Sequence, residues 1–136
     1  MLYDVIDNNG VTVPGYKIKI STSKRGWPKI LSYKRKKVKI ISTKCVDSGG
    51  YPIVGLSYPN GKSKSTNVHQ IIFHSLIGTK SPTNITEKRW NSLAKWAKKE
   101  LRAGCDIDHV DDDQINFRPH NLELVTRSFN LKKRFV

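Results

Sequence analysis

The residues of this chain best suited to chemistry lie in one stretch, "DIDHVDDDQINFRPHNLELVTRSFN", residues 106 to 130. Five of the eleven carboxylates of the chain, Asp106, Asp108, Asp111, Asp112 and Asp113, fall within its first eight residues, with His109 in their midst. Such crowding of like charge is costly unless the carboxylates are solvated in a loop or one of them faces a cation. A histidine, with an unperturbed pKa of about 6.5, can accept a proton from water at neutral pH. The stretch thus joins a candidate cation site to a candidate proton acceptor.

The elements that must position these residues can be read from local pattern. "CDIDHV" alternates as a strand does, "DDDQINFRPH" is a polar turn-forming loop, "NLELVT" is a second short strand, and "RSFNLKKRFV" is a helix. Upstream, "YKIKIS" (16–21) and "KVKIIS" (37–42) alternate charged and apolar residues, as half-buried strands with a basic outer face would. "SGGYPIVGLSYPNGKSK" reads as two short strands joined through the Asn-Gly step of "PNG" (59–61). Asn67 with Gln70 resembles a capping box opening the amphipathic helix "NVHQIIFHSLI", which Gly78 ends and on which His69 and His74 ride as surface or packing residues, or in contact with phosphate or the acidic site. The most regular helical pattern runs from Asn84 as N-cap, with Glu87 at N3, to Gly104, along a stripe of Trp90, Leu93, Ala94, Ala97 and Leu101. Trp96 lies at the edge of that stripe beside Lys95, Lys98, Lys99 and Arg102, a face that could dock DNA.

At 136 residues the chain has room for one compact domain with a modest core. A basic antiparallel β module (1–66) precedes a helical segment (67–104) and the strand-loop-strand-helix unit (105–136), an α+β organisation. With 25 lysines and arginines the formal net charge is +14, which points to a polyanionic partner. Nucleic acid outranks a membrane surface, because no basic amphipathic helix with a large apolar face is visible. No acidic residue occurs between Asp7 and Asp47, where eleven cations lie, and Lys34, Arg35, Lys36, Lys37 and Lys39 are candidate phosphate contacts.

No apolar run approaches the roughly 18 residues that span a bilayer. The opening "MLYDVIDNNG" has no basic or apolar leader character, so a cytoplasmic protein is expected. Cys45 and Cys105 sit in no CxxC pair, so no structural zinc is expected and both read as small buried side chains.

With these features laid out, "IDHVDDDQINFRPHNLELVTRSFN" resembles the HNH endonuclease family, whose ββα-metal motif carries Asp-His on its first strand, Asn-Leu at the second, and His or Asn on the helix. Asp108 and His109 are adjacent, Asn121 follows His109 by 12 residues and Asn130 by 21. The segments "VPGYKIKISTSKRGWPKIL", "GGYPIVGL" and "GKSKSTNVHQIIFHSLIG" are similar to the small module preceding this motif in phage and intron homing endonucleases.

The resemblance implies a metal-dependent DNA endonuclease. Asp108 and Asn130 would hold one Mg²⁺ or Mn²⁺, Asn being a departure from the family's His that still offers a carbonyl oxygen. His109 would be the general base, and Asn121 a structural brace. Lys132, Lys133 and Arg134, beside Asn130, would neutralise phosphates of double-stranded DNA. The helix-turn-helix tail of many homing enzymes is not found after the motif, so a nicking or low-specificity phage enzyme, monomeric or weakly dimeric, is expected. The alternative is a catalytically silent DNA-binding or inhibitor protein that keeps the HNH frame.

Overall fold

The computed structural model describes residues 2–20, 26–77, 82 and 85–127. The chain is α+β, with small antiparallel sheets and few helices. Four strands, β1 (Leu2–Ile6), β2 (Thr12–Lys19), β3 (Lys29–Ser32) and β4 (Lys39–Ile40), form one sheet in that order. A hairpin of β5 (Ile53–Ser57) and β6 (Ser63–Asn67) leads into α1 (Val68–Leu76). Two short helices follow, α2 (Glu87–Asn91) and α3 (Lys95–Ala103). The last described unit is the hairpin of β7 (Cys105–His109) and β8 (Leu122–Thr126), with a 3-10 turn at Pro119–Asn121.

One hydrophobic cluster runs through all of these sheets. Val5, Val13, Tyr16, Ile18 and Ile30 come from the four-stranded sheet, Val54 and Leu56 from β5, and Phe117, Leu122 and Leu124 from the C-terminal hairpin. Between them lies α1, which buries Val68, Ile71, Ile72 and Phe73 and packs on β1, β6, β7, β8 and the 3-10 turn. Burial of this apolar area is what holds so short a helix in place, because nine residues are too few to be helical alone.

Polar ties fix how the sheets meet. The Tyr16 hydroxyl accepts from the Ser57 amide at 2.9 Å, and the Tyr58 hydroxyl donates to Asp7 Oδ2 at 2.7 Å. Burial alone would push the Asp7 carboxyl up, but the Tyr58 hydroxyl and the Val11 and Asn9 amides outweigh it and hold the carboxyl below its ordinary value. On the other side of the same bond, the Tyr58 phenol is pushed up to about 12 by burial and by Asp7. The β1 register shifts between Asp4 and Ile6, and the Ile6 amide there donates to Ser75 Oγ of α1 at 2.8 Å.

The hairpin turn expected at "PNG" is formed: Gly61 takes φ of 81° and the Tyr58 amide bonds the Lys62 carbonyl at 2.8 Å. Other expectations need correction. The "KVKIIS" strand shrinks to Lys39–Ile40 with both side chains exposed, while β1 and β3 appear where no alternation announced them. The single helix expected from Asn84 to Ala103 is two helices, broken at Ser92–Ala94. The Ser92 hydroxyl donates to the Arg89 carbonyl at 2.6 Å, which competes with helix continuation. Thr86 is the N-cap of α2, its hydroxyl accepting from the Arg89 amide, and Asn84 lies outside the described residues with Gly78.

Asn67 does occupy the N-cap position of α1 but makes no capping bond; its amide donates instead to Asp47 Oδ2 at 2.9 Å. Cys45 is exposed, and Cys105 is half-buried with its thiol donating to the Leu101 carbonyl. The helix expected after β8, with Asn130, Lys132, Lys133 and Arg134, lies outside the described residues. Among the described residues no helix is long and apolar enough to cross a membrane.

Because α1 joins every sheet, Ile72→Ala should destabilise the whole fold by about 2–5 kcal/mol, read as a shift in the denaturation midpoint. A midpoint unchanged from the parent chain would contradict this central place for the helix.

Candidate active site

β7 carries Asp108 and His109 side by side, and both are buried, at 8% and 6% exposed. Neighbouring residues of a pleated strand point to opposite faces. Both faces of β7 are therefore covered at its end. On the core-facing side His109 stands opposite Leu122, and Ile107 opposite Leu124; on the other, Asp108 stands opposite Glu123 and Asp106 opposite Val125. Asp106 is tied to Arg127, Nε to Oδ1, at 3.6 Å. Like charges directly across a strand pair are unfavourable, and among the described residues no third carboxylate, histidine or cysteine joins Asp108 and Glu123 in a group that could hold a metal ion. Carboxylate oxygens are the donors that hard divalent ions take, and an oxygen from Asn130 would lie outside the described residues.

The loop from Val110 to Asn121 leaves Asp111, Asp112 and Asp113 exposed to solvent, as expected, but it is ordered by bonds between its own side chains and backbone. The Asn121 side chain donates to Asp111 Oδ1 and to the Asn116 carbonyl, both at 2.9 Å, and accepts from the Asp111 amide at 3.1 Å. The Asn116 amide donates to Asp111 Oδ2 at 2.8 Å, and the Asp113 amide to Asp111 Oδ1 at 2.8 Å. Asp111 is thus the acceptor on which the loop winds. The Asn116 amide, then the Asp113 backbone, hold its carboxyl down at about 2, with Asn121 adding to them against a small desolvation. Asp112, at φ of 61°, takes the left-handed turn, a conformation that Asp tolerates.

The base of the loop is closed by backbone bonds, Val110 amide to Asn121 carbonyl at 2.8 Å and Asp112 amide to His109 carbonyl at 2.9 Å. Two upstream segments clamp it from outside. Trp27 packs edge-on to Phe117 with centroids 5.0 Å apart, and the Arg118 guanidinium lies 4.3 Å over Trp27. Gly50, at φ of 84°, brings its backbone so close that a Cβ there would meet Gln114 Oε1 at 2.9 Å.

His109 sits in an aromatic pocket. The His69 ring packs edge-on at 5.0 Å between centroids, and Tyr51 lies 5.7 Å from His109 and 5.2 Å from His69. Among the described residues neither His109 Nε2 nor His69 Nδ1 has a hydrogen-bond partner, although both are buried. Burial lowers the pKa of His109, with Asp108, Asp111 and Asp113 pulling the other way. The ring is therefore neutral at neutral pH, the form that can take a proton. His69, 8% exposed, is pushed down to about 4, first by burial and then by His109.

His69, expected at the surface, in packing or in contact with phosphate or the acidic site, is buried and packs as a wall of the site. The clue was its spacing: Ile72 and Phe73, three and four residues on, share its buried face. The Asp47–Asn67 bond, which holds the loop before Tyr51, gave no sequence signal beyond composition. The Asp47 carboxyl also accepts from the Gly49 and Tyr51 amides, and the Asn67 amide leads in keeping it below the ordinary value. His74 is half-buried beside Phe73, and His120 is exposed.

The expected DNA-binding residues Lys34, Arg35, Lys36, Lys37 and Lys39 are all exposed. Lys34 is nevertheless engaged within the chain: its ammonium bonds the Ser57 carbonyl and lies 5.1 Å over the Tyr16 ring. Gly15 makes room for it, since a Cβ there would meet Lys34 Cγ at 2.9 Å. Lys34 therefore joins the two N-terminal sheets, a structural task that its place in a cationic run did not suggest.

With this geometry in view, comparison with known proteins is informative. Residues 98–132 match the family model described as HNH endonuclease, which spans α3 from Lys98, the β7–β8 hairpin and the loop held by Asn121. The match supports the HNH family for this C-terminal part of the chain, and with it a nuclease-type, DNA-cleaving function. No curated protein and no solved structure matches the chain.

The buried imidazole of His69 makes stability depend on pH. Its pKa falls from 6.5 to about 4 on folding, so the unfolded chain binds more protons between those values and stability declines as pH drops through that window. The loss should be on the order of 3 kcal/mol and complete near the lower value, with no contribution from His69 above the upper one. Denaturation of the parent chain and of His69→Gln across this range measures it; parallel pH profiles would show that His69 is not buried neutral.

Proposed function

We propose that this protein is a metal-dependent HNH DNA endonuclease that hydrolyses phosphodiester bonds. The observation that supports it most is the pair at the end of β7: a buried carboxylate on one face, and on the other a neutral imidazole with an unpartnered buried nitrogen, within the HNH-matched segment.

In this reading Asp108, with Asn130, would hold one Mg²⁺ or Mn²⁺ ion, which would supply Lewis-acid polarisation of the scissile phosphate and relief of charge on the leaving 3′ oxygen. His109 Nε2 takes the proton from the attacking water as its oxygen bonds to phosphorus and the P–O3′ bond breaks. Tyr51 and His69 restrict the His109 ring, so that its nitrogen keeps one direction. Asn121 braces the loop and has no contact with the reacting atoms. Arg35, Lys36, Lys37 and Lys39, with Lys132, Lys133 and Arg134 after Asn130, neutralise flanking phosphates. A single site in each chain fits nicking, by a monomer or weak dimer, on double-stranded DNA of low sequence selectivity. The homing-like N-terminal module is consistent with a phage or mobile-element enzyme acting in the host cytoplasm.

Supercoiled plasmid incubated with the protein and Mg²⁺ should convert to open circles, and chelator should stop the conversion. His109→Ala should slow it by about 10²- to 10⁴-fold. Equal rates for parent and variant, or no conversion by the parent at any salt concentration, would remove the catalytic assignment and favour a silent DNA-binding frame.

A further inference from the structure

Helix α3 buries none of its nine residues, with Trp96 left 73% exposed and Leu101 38%. Short helices are normally held by an apolar face, so what this one is for must be sought in its outer surface. Lys95, Lys99 and Arg102 recur at i, i+4 and i+7 and share one stripe, with Trp96 beside it. Together with Lys98 these residues line a shallow open hollow. Lys95 with Lys99, and Lys98 with Arg102, are like-charge pairs at i, i+4, an arrangement that weakens a helix, and Glu100 is its one acid. An anionic partner would relieve that repulsion.

The stripe is also tied to the active site. Gly104 alone separates α3 from β7, and the Cys105 thiol bonds the Leu101 carbonyl at 2.9 Å. On its inner side Lys98 and Arg102 lie 5.9 and 5.1 Å over the buried Trp90 ring, which orients the helix. Seven residues at about 1.5 Å rise carry cations over roughly 10 Å, close to the reach of four phosphates spaced about 3.4 Å along the axis of one DNA strand. Trp96 and Leu101 are five residues apart and so do not merge into the continuous apolar face that an anionic lipid surface needs.

We propose that α3 is a docking helix for double-stranded DNA, with Lys95, Lys99 and Arg102 along the phosphates of one strand and Trp96 against the adjoining sugar. The inference rests on the nuclease reading and adds to it the surface that presents DNA to β7.

The test is fluorescence anisotropy on a short labelled duplex across a salt series, in a His109→Ala background that keeps the DNA intact. Lys95→Gln, Lys99→Gln and Arg102→Gln, singly and combined, should make log K against log[salt] less steep by about 0.9 for each cation removed. Trp96→Ala should weaken binding severalfold with the slope unchanged. Lys95, Trp96 and Lys99 are exposed, so their single variants should melt with the parent chain and keep the test valid, whereas Arg102 is half-buried over Trp90 and its variant can melt earlier. If the background chain binds duplex and the charge variants bind it with the same affinity and slope, the docking role is wrong. Phosphatidylserine vesicles bound through Trp96, with DNA binding unaffected, would overturn it in favour of a membrane surface. Failure of the background chain to bind duplex at low salt would instead fell the nuclease reading itself.

Discussion

The nine residues of α1 have to satisfy two neighbours at once, and most of the architecture follows from how they do it. Val68, Ile71, Ile72 and Phe73 are buried between the N-terminal sheets and the β7–β8 hairpin, so the helix cannot shift without opening both. His69 shares that buried face and meets His109 there. Apolar packing therefore sets the position of a catalytic candidate that lies forty residues further along the chain. Burial also keeps both imidazoles neutral, at some cost in stability at low pH.

The second constraint is polar. A loop of this length between β7 and β8 would be free to open were it not wound on Asp111 and Asn121, and their bonds are made within the loop rather than to the core. Trp27, Arg118 and Gly50 then fix its outer side against the N-terminal half. The N-terminal half thus does more than carry positive charge: Tyr51 and His69 of α1 wall His109, and Trp27 holds the loop that follows it. An overall +14 draws in the polyanion, while Asp108 and Glu123 face each other across the strand pair as a local patch of negative charge.

Local signals in the sequence were enough for the β7–β8 hairpin, the "PNG" turn and α1, because alternation, Asn-Gly steps and helical spacing act over a few residues. They were not enough for β1 and β3, whose side chains alternate weakly and which are strands because β2 pairs with both. The regular pattern from Asn84 to Ala103 misled for a related reason. Its periodicity is real, but Ser92 interrupts the backbone and no residue of α3 is buried, so apolar spacing did not become burial. In the site, Asp108 and His109 stood out by type and adjacency. Tyr51 and His69 did not, since their relevance lies in contacts across 58 and 40 residues of sequence.

The central claim is that water, with its proton taken by His109, attacks the phosphorus of a DNA backbone phosphate. Cleavage of a defined duplex in ¹⁸O-labelled water, followed by mass spectrometry of the product ends, tests that directly. The account predicts 5′-phosphate ends carrying the heavy oxygen and unlabelled 3′-hydroxyl ends. Products without label on the 5′-phosphate, or intact duplex after prolonged incubation with Mg²⁺, would contradict it.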